Sequence, residues 1–282
     1  MTSQRAPLDA EALRARLGDV VPRLELVTRA GSTSTELAAA IRAEPEAWPH
    51  LSAFVADHQA AGRGRAGRDW STPPGTALTV SFVLRPGVPA DSLGWAGLLG
   101  GLAVVRALGG FGLVARAKWP NDVVVEARGA AEIDGWGSGR KVAGILGEVV
   151  DDAVVLGIGV NVLQAPAELP VPWAASLDSL GAVLGEHARA DLLVVLTHQL
   201  WHLEERWRTA GGDAAAAGLV EEYAAASATL GRAVAVELPG GGVVTGTAEG
   251  IADDGGLVVR RLDGERELVR AGDVHHLRLR DV

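Results

Sequence analysis

The sequence predicts an α+β fold: a larger domain built on a mixed β-sheet, followed by a small β-domain. Three observations predict it. Apolar strand runs mix with helical stretches without a regular βαβ alternation, which favours α+β with a mixed sheet. Two long apolar runs, 141–150 and 153–162, flank Asp151-Asp152 and read as a hairpin. After Gly231 the character changes to short strands separated by PGGG, DDGG and DG, a pattern that suggests a small β-barrel. The domain boundary is therefore placed near 230, giving 1–230 and 231–282.

Each element follows from its own pattern. LDAEALRARL, 8–17, reads as a short helix, and RLELVT, 23–28, alternates as a strand. In GSTSTELAAAIRA, Thr33 with Glu36 predicts a capping box and a helix start. Ser32 and Thr33 then sit at the helix mouth, where backbone amides point outward. AFVAD, 53–57, and TALTVSFVL, 76–84, read as strands, the second preceded by the turn Pro73-Pro74-Gly75. Residues 91–110 read as an apolar helix whose glycines, 94, 97, 100 and 101, predict close packing. VARAKW and DVVVE read as strands on either side of a Trp-Pro-Asn-Asp turn. Residues 127–140 are Gly- and Ala-rich and predict a flexible loop. Helical periodicity returns over 186–208 and 213–228.

Composition bounds the function. The 282 residues carry a formal net charge of -9 and no cysteine. A disulfide framework and a cysteine metal site are excluded. The acidic balance opposes bulk binding to nucleic acid, which depends on neutralising phosphates. No apolar signal-peptide core opens the chain, and no uninterrupted apolar run approaches the ~20 residues that span a bilayer. A cytoplasmic protein without a membrane anchor is the expectation.

Against that acidic background, GRGRAGR, 62–68, stands out, with three arginines and three glycines in seven positions. Glycines permit close backbone approach, and guanidinium forks bind phosphate or carboxylate bidentately. A ligand loop, a solvated basic turn and a nucleic-acid contact all fit the segment alone. KWPND, 118–122, holds a lysine, an amide and a carboxylate around a proline that fixes the backbone. That set suits a nucleotide phosphate and its Mg²⁺; a plain turn over a buried Trp119 suits it equally. In GRKVAGILGEV, 139–149, Lys141 opens an apolar strand, and Gly144 and Gly147 suggest close approach by a ligand or another backbone. GIGVNV, 157–162, lacks the spacing and following helix of a dinucleotide fingerprint, so Asn161 marks a ligand-facing edge or a bulge.

The order of these motifs, GSTS, then QxxGRGRxGRxW, KWPND, KxxGILxE and GxGxNV, resembles the biotin–protein ligase family over roughly residues 24–280. The resemblance implies a class II synthetase-like biotin/lipoate ligase domain and an SH3-like β-barrel at the C-terminus. It implies that biotin and ATP combine to biotinyl-5′-adenylate, and that the biotinyl group passes to a lysine of a carboxylase's biotin carboxyl carrier domain. Carried onto this chain, biotin contacts fall on Ser32, Thr33, Ser34, Gln59, Arg63, Gly64, Arg65, Lys141 and Gly144. The nucleotide side falls on Arg65, Arg68, Trp70, Lys118, Asn121 and Asn161. Lys141, Arg63 and Arg65 are the candidate catalytic groups, and Mg²⁺ accompanies ATP with its protein ligands unassigned. The state is monomer or homodimer.

The chemistry fits those residue types. A carboxylate must meet a polyphosphate, so cations must line the path. No side-chain nucleophile is needed. A Gly/Arg flap can stay pliable when empty and collapse on an anionic intermediate that water would destroy. Three features depart from the family pattern. Ser34 stands where Asn is usual, Ala66 replaces a commonly basic residue, and 127–140 is a longer connection than expected. Too few residues precede Gly31 for a winged-helix domain, so the ligase-only form without DNA binding is expected. A lipoate–protein ligase on the same scaffold is the nearest alternative. A nucleic-acid-binding module using GRGRAGR and the C-terminal strands is the alternative from another class.

Overall fold

Most of the strand runs assemble into one seven-stranded mixed sheet, and the short runs after Gly231 form a second, five-stranded one. The computed structural model describes residues 5–127 and 129–276. In chain order the larger part contains α1 (Ala10–Leu17), β1 (Leu24–Val27), α2 (Thr33–Ala43), β2 (Ala53–Ala56), β3 (Gly62–Arg63), β4 (Asp69–Trp70), β5 (Ala77–Leu84), α3 (Trp95–Gly109), β6 (Ala115–Lys118), β7 (Asp122–Glu126), β8 (Gly139–Val150), β9 (Ala153–Asn161), α4 (Ala188–Thr209) and α5 (Leu219–Ala226). The main sheet runs β1-β2-β5-β9-β8-β7-β6. Only β1 and β2 are parallel; every other neighbour is antiparallel.

Strand β5 is buried along its whole length, which is why ALTVSFVL reads as a continuous apolar run rather than an alternating one. The β8–β9 hairpin closes at Val150↔Ala153, with Asp151 at φ 52° in the turn, as the Asp-Asp pair predicted. Helix α3 packs against α4 and against β6 and β8, while α2 lies against β5 and β9. Its glycines divide by role. A Cβ on Gly100 would sit 3.1 Å from Ile145 and 3.2 Å from Leu156, so the helix approaches the sheet there through glycine. Gly97 and Gly101 have open space around them, and no packing requirement explains them. The stretch Ala90–Gly109 is long and apolar enough to cross a membrane, but most of it is buried inside the fold.

Three local expectations shift. The α2 cap is Ser32, whose hydroxyl accepts from Thr35 N–H, and Glu36 accepts from Gly31 N–H at 2.5 Å. The cap therefore falls one residue earlier than Thr33. The helix read over 213–228 begins only at Leu219, because Gly218 is left-handed at φ 68°. The 127–140 stretch is folded wherever it is described. Ile133 and Gly137 bridge one another, and Gly139 and Arg140 already belong to β8.

The C-terminal part contains β10 (Ala233–Glu237), β11 (Val243–Ile251), β12 (Leu257–Arg261), β13 (Arg266–Val269) and β14 (Asp273–His276). They form an antiparallel sheet in the order β13-β12-β11-β10-β14. The SH3-like barrel expected from the sequence goes beyond these pairings. This sheet docks on the larger part through its 252–255 turn. Trp95 Nε1 donates to Ala252 O at 3.2 Å and Trp119 Nε1 to Gly255 O at 3.0 Å. Gly94 lies so close to Asp254 O that any side chain there would collide with it.

Candidate active site

One row of paired residues crosses the sheet and sets the site. Thr79 in β5 faces Gly159 in β9, which faces Gly144 in β8, then Asp122 in β7 and Lys118 in β6. Directly paired residues share a face. The two central positions are glycine, so the middle of the row is bare backbone. The Trp70 indole lies on it. A Cβ at Gly159 would stand 2.6 Å from Trp70 Cε2, and one at Gly144 3.2 Å from Cζ3. Gly147, expected to behave like Gly144, meets only Val154 at 3.9 Å. One register step along, Ser81 faces Gly157, which leaves room for the Ser34 hydroxyl.

The β5–β9 end of the cavity is a closed polar cluster. Thr33 donates to Gln59 Oε1 twice, from its N–H at 2.8 Å and its hydroxyl at 2.9 Å. Ser81 Oγ donates to Thr33 Oγ1 at 2.8 Å and lies 3.0 Å from Ser34 Oγ. All five groups are buried, and they need one another because buried polar atoms without partners are costly. Ser34, the departure noted in the sequence, completes this cluster.

GRGRAGR is shaped as a short hairpin. Strands β3 and β4 pair Gly62 with Trp70 and Arg63 with Asp69. Gly64 N–H donates to Arg68 O at 2.6 Å, and the tip turns at Ala66, φ 53°, and Gly67, φ 72°. Gly62 is sterically required: a Cβ would strike the Trp70 carbonyl and stand 2.7 Å from Gln59 Nε2. The hairpin therefore locks against the polar cluster. Arg63 is exposed at the rim and Arg65 half-buried, where burial lowers its pKa. Arg68 reaches Asp273 of β14 at 2.7 Å.

In the KWPND turn the two halves separate. Asn121 is held on β8, its Nδ2 donating to Ile145 O at 3.1 Å. Asp122 stands 2.5 Å from Lys141 Nζ, which also lies 5.8 Å above the Trp70 ring. Lys118 turns away. Its Nζ donates to Val274 O at 2.6 Å and caps the Trp136 ring at 4.0 Å. Burial lowers the Lys118 pKa, with Asp122 opposing. Asn161 is also committed, donating to Ala175 O and accepting from Gln164.

Every predicted site residue except Lys118 lines one cavity of about 260 Å³. Five further lining or supporting residues were not read from the sequence: Asp69, Ser81, Asp122 as partner of Lys141, Trp136 and Trp173. Ser81 had a signal, a hydroxyl inside an otherwise apolar strand. Trp136 and Trp173 had none, since neither lies in a periodic segment.

The sequence and the architecture match known proteins. Residues 28–163 match the Biotin/lipoate A/B protein ligase family, and 229–277 the Biotin protein ligase C terminal domain. The chain is 40% identical to the biotin--[acetyl-CoA-carboxylase] ligase of Mycobacterium tuberculosis, over 97% of each. The chain belongs to the biotin–protein ligase family. Among solved ligases, that of Aquifex aeolicus in complex with biotin and ATP superimposes with a TM-score of 0.71 at 25% identity, covering 91% of this chain and 100% of that one. The Leishmania major ligase shares the fold, with a TM-score of 0.58 at 23% identity, covering 89% of this chain and 99% of that one. Within the family's frame, the cavity spans β5 to β7 beneath the β3–β4 flap.

Proposed function

We propose that this biotin–protein ligase activates biotin with ATP to biotinyl-5′-adenylate and transfers the biotinyl group to a lysine of a biotin carboxyl carrier domain. The observation that carries this reading is the order of groups across the sheet. Hydroxyls and an amide close one end, Trp70 covers a glycine floor in the middle, and Lys141 stands between that floor and Asp122. The polar end suits the ureido ring of biotin through hydrogen bonds from Ser32, Thr33, Ser34 and Gln59, with Gly144 leaving room for the chain. Arg63, Gly64 and Arg65 close over it. Arg65, Arg68, Trp70, Asn121 and Asn161 serve the nucleotide.

In the first step a biotin carboxylate oxygen attacks the α-phosphorus, and the bond to the β-phosphate breaks to release pyrophosphate. Lys141 and Arg65 face the place where negative charge concentrates, and in a partly dry site such charges act strongly. Asp122, 2.5 Å from Lys141 Nζ, holds the lysine aimed. In the second step a deprotonated carrier lysine attacks the acyl carbon, the mixed anhydride C–O bond breaks, and AMP leaves. The flap keeps water from the anhydride between the two steps.

Among the described residues no group of three His, Cys, Asp or Glu gathers. Asp69 and Asp122 line the cavity, a donor set that fits a Mg²⁺ arriving on the triphosphate, since that ion favours one or two carboxylates plus phosphate oxygens. It would neutralise phosphate charge there. The division near 230 into catalytic and C-terminal domains is supported by the separate family match at 229–277. A cytoplasmic location and action as a monomer or homodimer complete the reading.

The test is direct. The protein is mixed with biotin, MgATP and a biotin carboxyl carrier domain, and the carrier is weighed. A gain of one biotinyl group is expected. Modification with lipoate but not biotin would transfer the reading to the lipoate branch of the same scaffold.

A further inference from the structure

The hydroxyls at the β5–β9 end of the cavity point their hydrogens one way, and a main-chain amide sets the direction. Thr33 N–H can only donate, so the Gln59 atom 2.8 Å from it is the carbonyl oxygen, Oε1. Thr33 Oγ1 lies 2.9 Å from that same oxygen and must donate its single hydrogen to it. Ser81 Oγ, 2.8 Å from Thr33 Oγ1, then has to donate as well. Ser34 Oγ, 3.0 Å from Ser81 Oγ, is left as the donor of the third link. The chain runs from Ser34 to Ser81 to Thr33 to Gln59, and each hydroxyl in it has used its only hydrogen.

This order decides what the cavity is offered. Ser34 has tied its hydrogen back to β5. Its oxygen lies over Gly157, where a Cβ would collide with it, and both residues line the cavity. What Ser34 presents there is lone pairs alone. Gln59, whose carbonyl Thr33 uses twice, has only amide N–H groups left to give. Ser81 stands behind them, fully buried in the middle of β5 and not among the lining residues. The asparagine of the family pattern at position 34 carries both a donor and an acceptor and can meet either kind of ligand edge. A hydroxyl whose hydrogen is held from behind can meet only one.

We infer that Ser81 sets the sense of recognition in this chain: by taking the Ser34 hydrogen it makes Ser34 an acceptor, so the ligand edge that meets Ser34 must carry an N–H. Ser81 is then a specificity-determining positioning residue that acts through Ser34. This rests on the reading of the polar end as the seat of the biotin ring, a cyclic urea with two ring N–H groups. A ligand with a bare oxygen at that place would set lone pairs against lone pairs and leave two buried acceptors unpaired, which is the kind of mismatch a polar pocket rejects most strongly.

The test is titration of biotin, and of the two analogues in which one or the other ring N–H is replaced by oxygen, into the full chain and its variants. The unaltered chain is expected to bind one of the two analogues at least about tenfold more weakly than biotin, the scale of one buried group left unpaired. In Ser81→Ala the Ser34 hydroxyl is free to turn and donate to that oxygen. The ratio of biotin to this analogue is expected to shrink about fivefold or more, while the ratio for the other analogue stays within about twofold. Ser81→Cys keeps the shape but is a poor hydrogen-bond partner; it is expected to follow Ala and serves if Ala does not fold. A merely structural role would loosen both ratios alike. Equal reduction of both ratios, or no change in either, therefore overturns the inference. A chain that shows the isomer-selective change yet makes no biotinyl-adenylate with MgATP overturns the proposed function and leaves this inference standing. Failure to bind biotin at all overturns both.

Discussion

Arg68 at the base of the flap hairpin binds Asp273 of the last described strand, Nη2 to Oδ1 2.7 Å, so the C-terminal sheet holds the cover of the cavity. The two side chains are 57% and 39% exposed, which limits what the pair contributes to folding. An exposed pair is worth about 0.2–1 kcal/mol. Asp273→Asn is therefore expected to leave the urea midpoint nearly unchanged. It should speed escape of preformed biotinyl-adenylate by up to roughly fivefold, the same energy expressed as a ratio. A chase of labelled adenylate measures this; equal escape rates would show that the pair does not hold the flap.

On the proposed chemistry, Lys141→Ala removes the cation assigned to the reacting carboxylate. Adenylate formation should fall about 10²–10³-fold, the usual cost of losing one preorganised charge-stabilising group. The variant also strands the Asp122 carboxylate, which is only 15% exposed, so stability should drop by roughly 1–3 kcal/mol. Adding Asp122→Asn should recover stability without recovering activity. Pyrophosphate release and urea unfolding separate the two effects.

Gly159→Ala places a methyl 2.6 Å from the Trp70 ring. The ring must leave the floor, because the backbone beneath it belongs to the central antiparallel pair with β8. Overpacking of this kind costs about 1–3 kcal/mol. Nucleotide affinity should fall by more than ten times while the far-ultraviolet spectrum is unchanged. Retained affinity would mean that Trp70 does not need the glycine floor.

His276 carries a pH signature. Burial, reinforced by Lys118, lowers its pKa to about 4 in the folded chain, against an ordinary value of 6.5. The fold thus favours neutral imidazole. Its contribution is complete above about pH 6.5 and is lost as pH falls from there toward 4, by up to about 3 kcal/mol. Urea midpoints from pH 7.5 to 4 should show this slope, and His276→Leu should flatten it. A parallel slope in the variant would assign the loss to other groups.

Legibility in the sequence followed the range of the interactions. Strands β5 and β9 were readable because burial on both faces writes a continuous apolar run, and β8 because it shares their hairpin and apolar content. Ser32, Gln59, Arg65 and Lys141 were readable because their motifs are local and ordered. The α2 cap and the start of α5 moved because single residues, Ser32 and Gly218, decide helix ends. The family resemblance assigns Lys118 to the nucleotide, but its side chain points to Val274, since a side chain's direction depends on what distant strands offer it. The β3–β4 pairing, the Trp136–Trp173 stack and the Lys141–Asp122 pair join residues whose proximity only the register of the sheet creates.

The bare strip formed by Gly144, Gly157 and Gly159 separates scaffold from selectivity. These positions offer an incoming molecule only main chain, so discrimination comes from what leans over them: Ser34, Trp70 and Lys141. Acceptance of altered vitamins or cofactors can then be retuned by exchanging those overhanging groups one at a time, while the platform below keeps its shape.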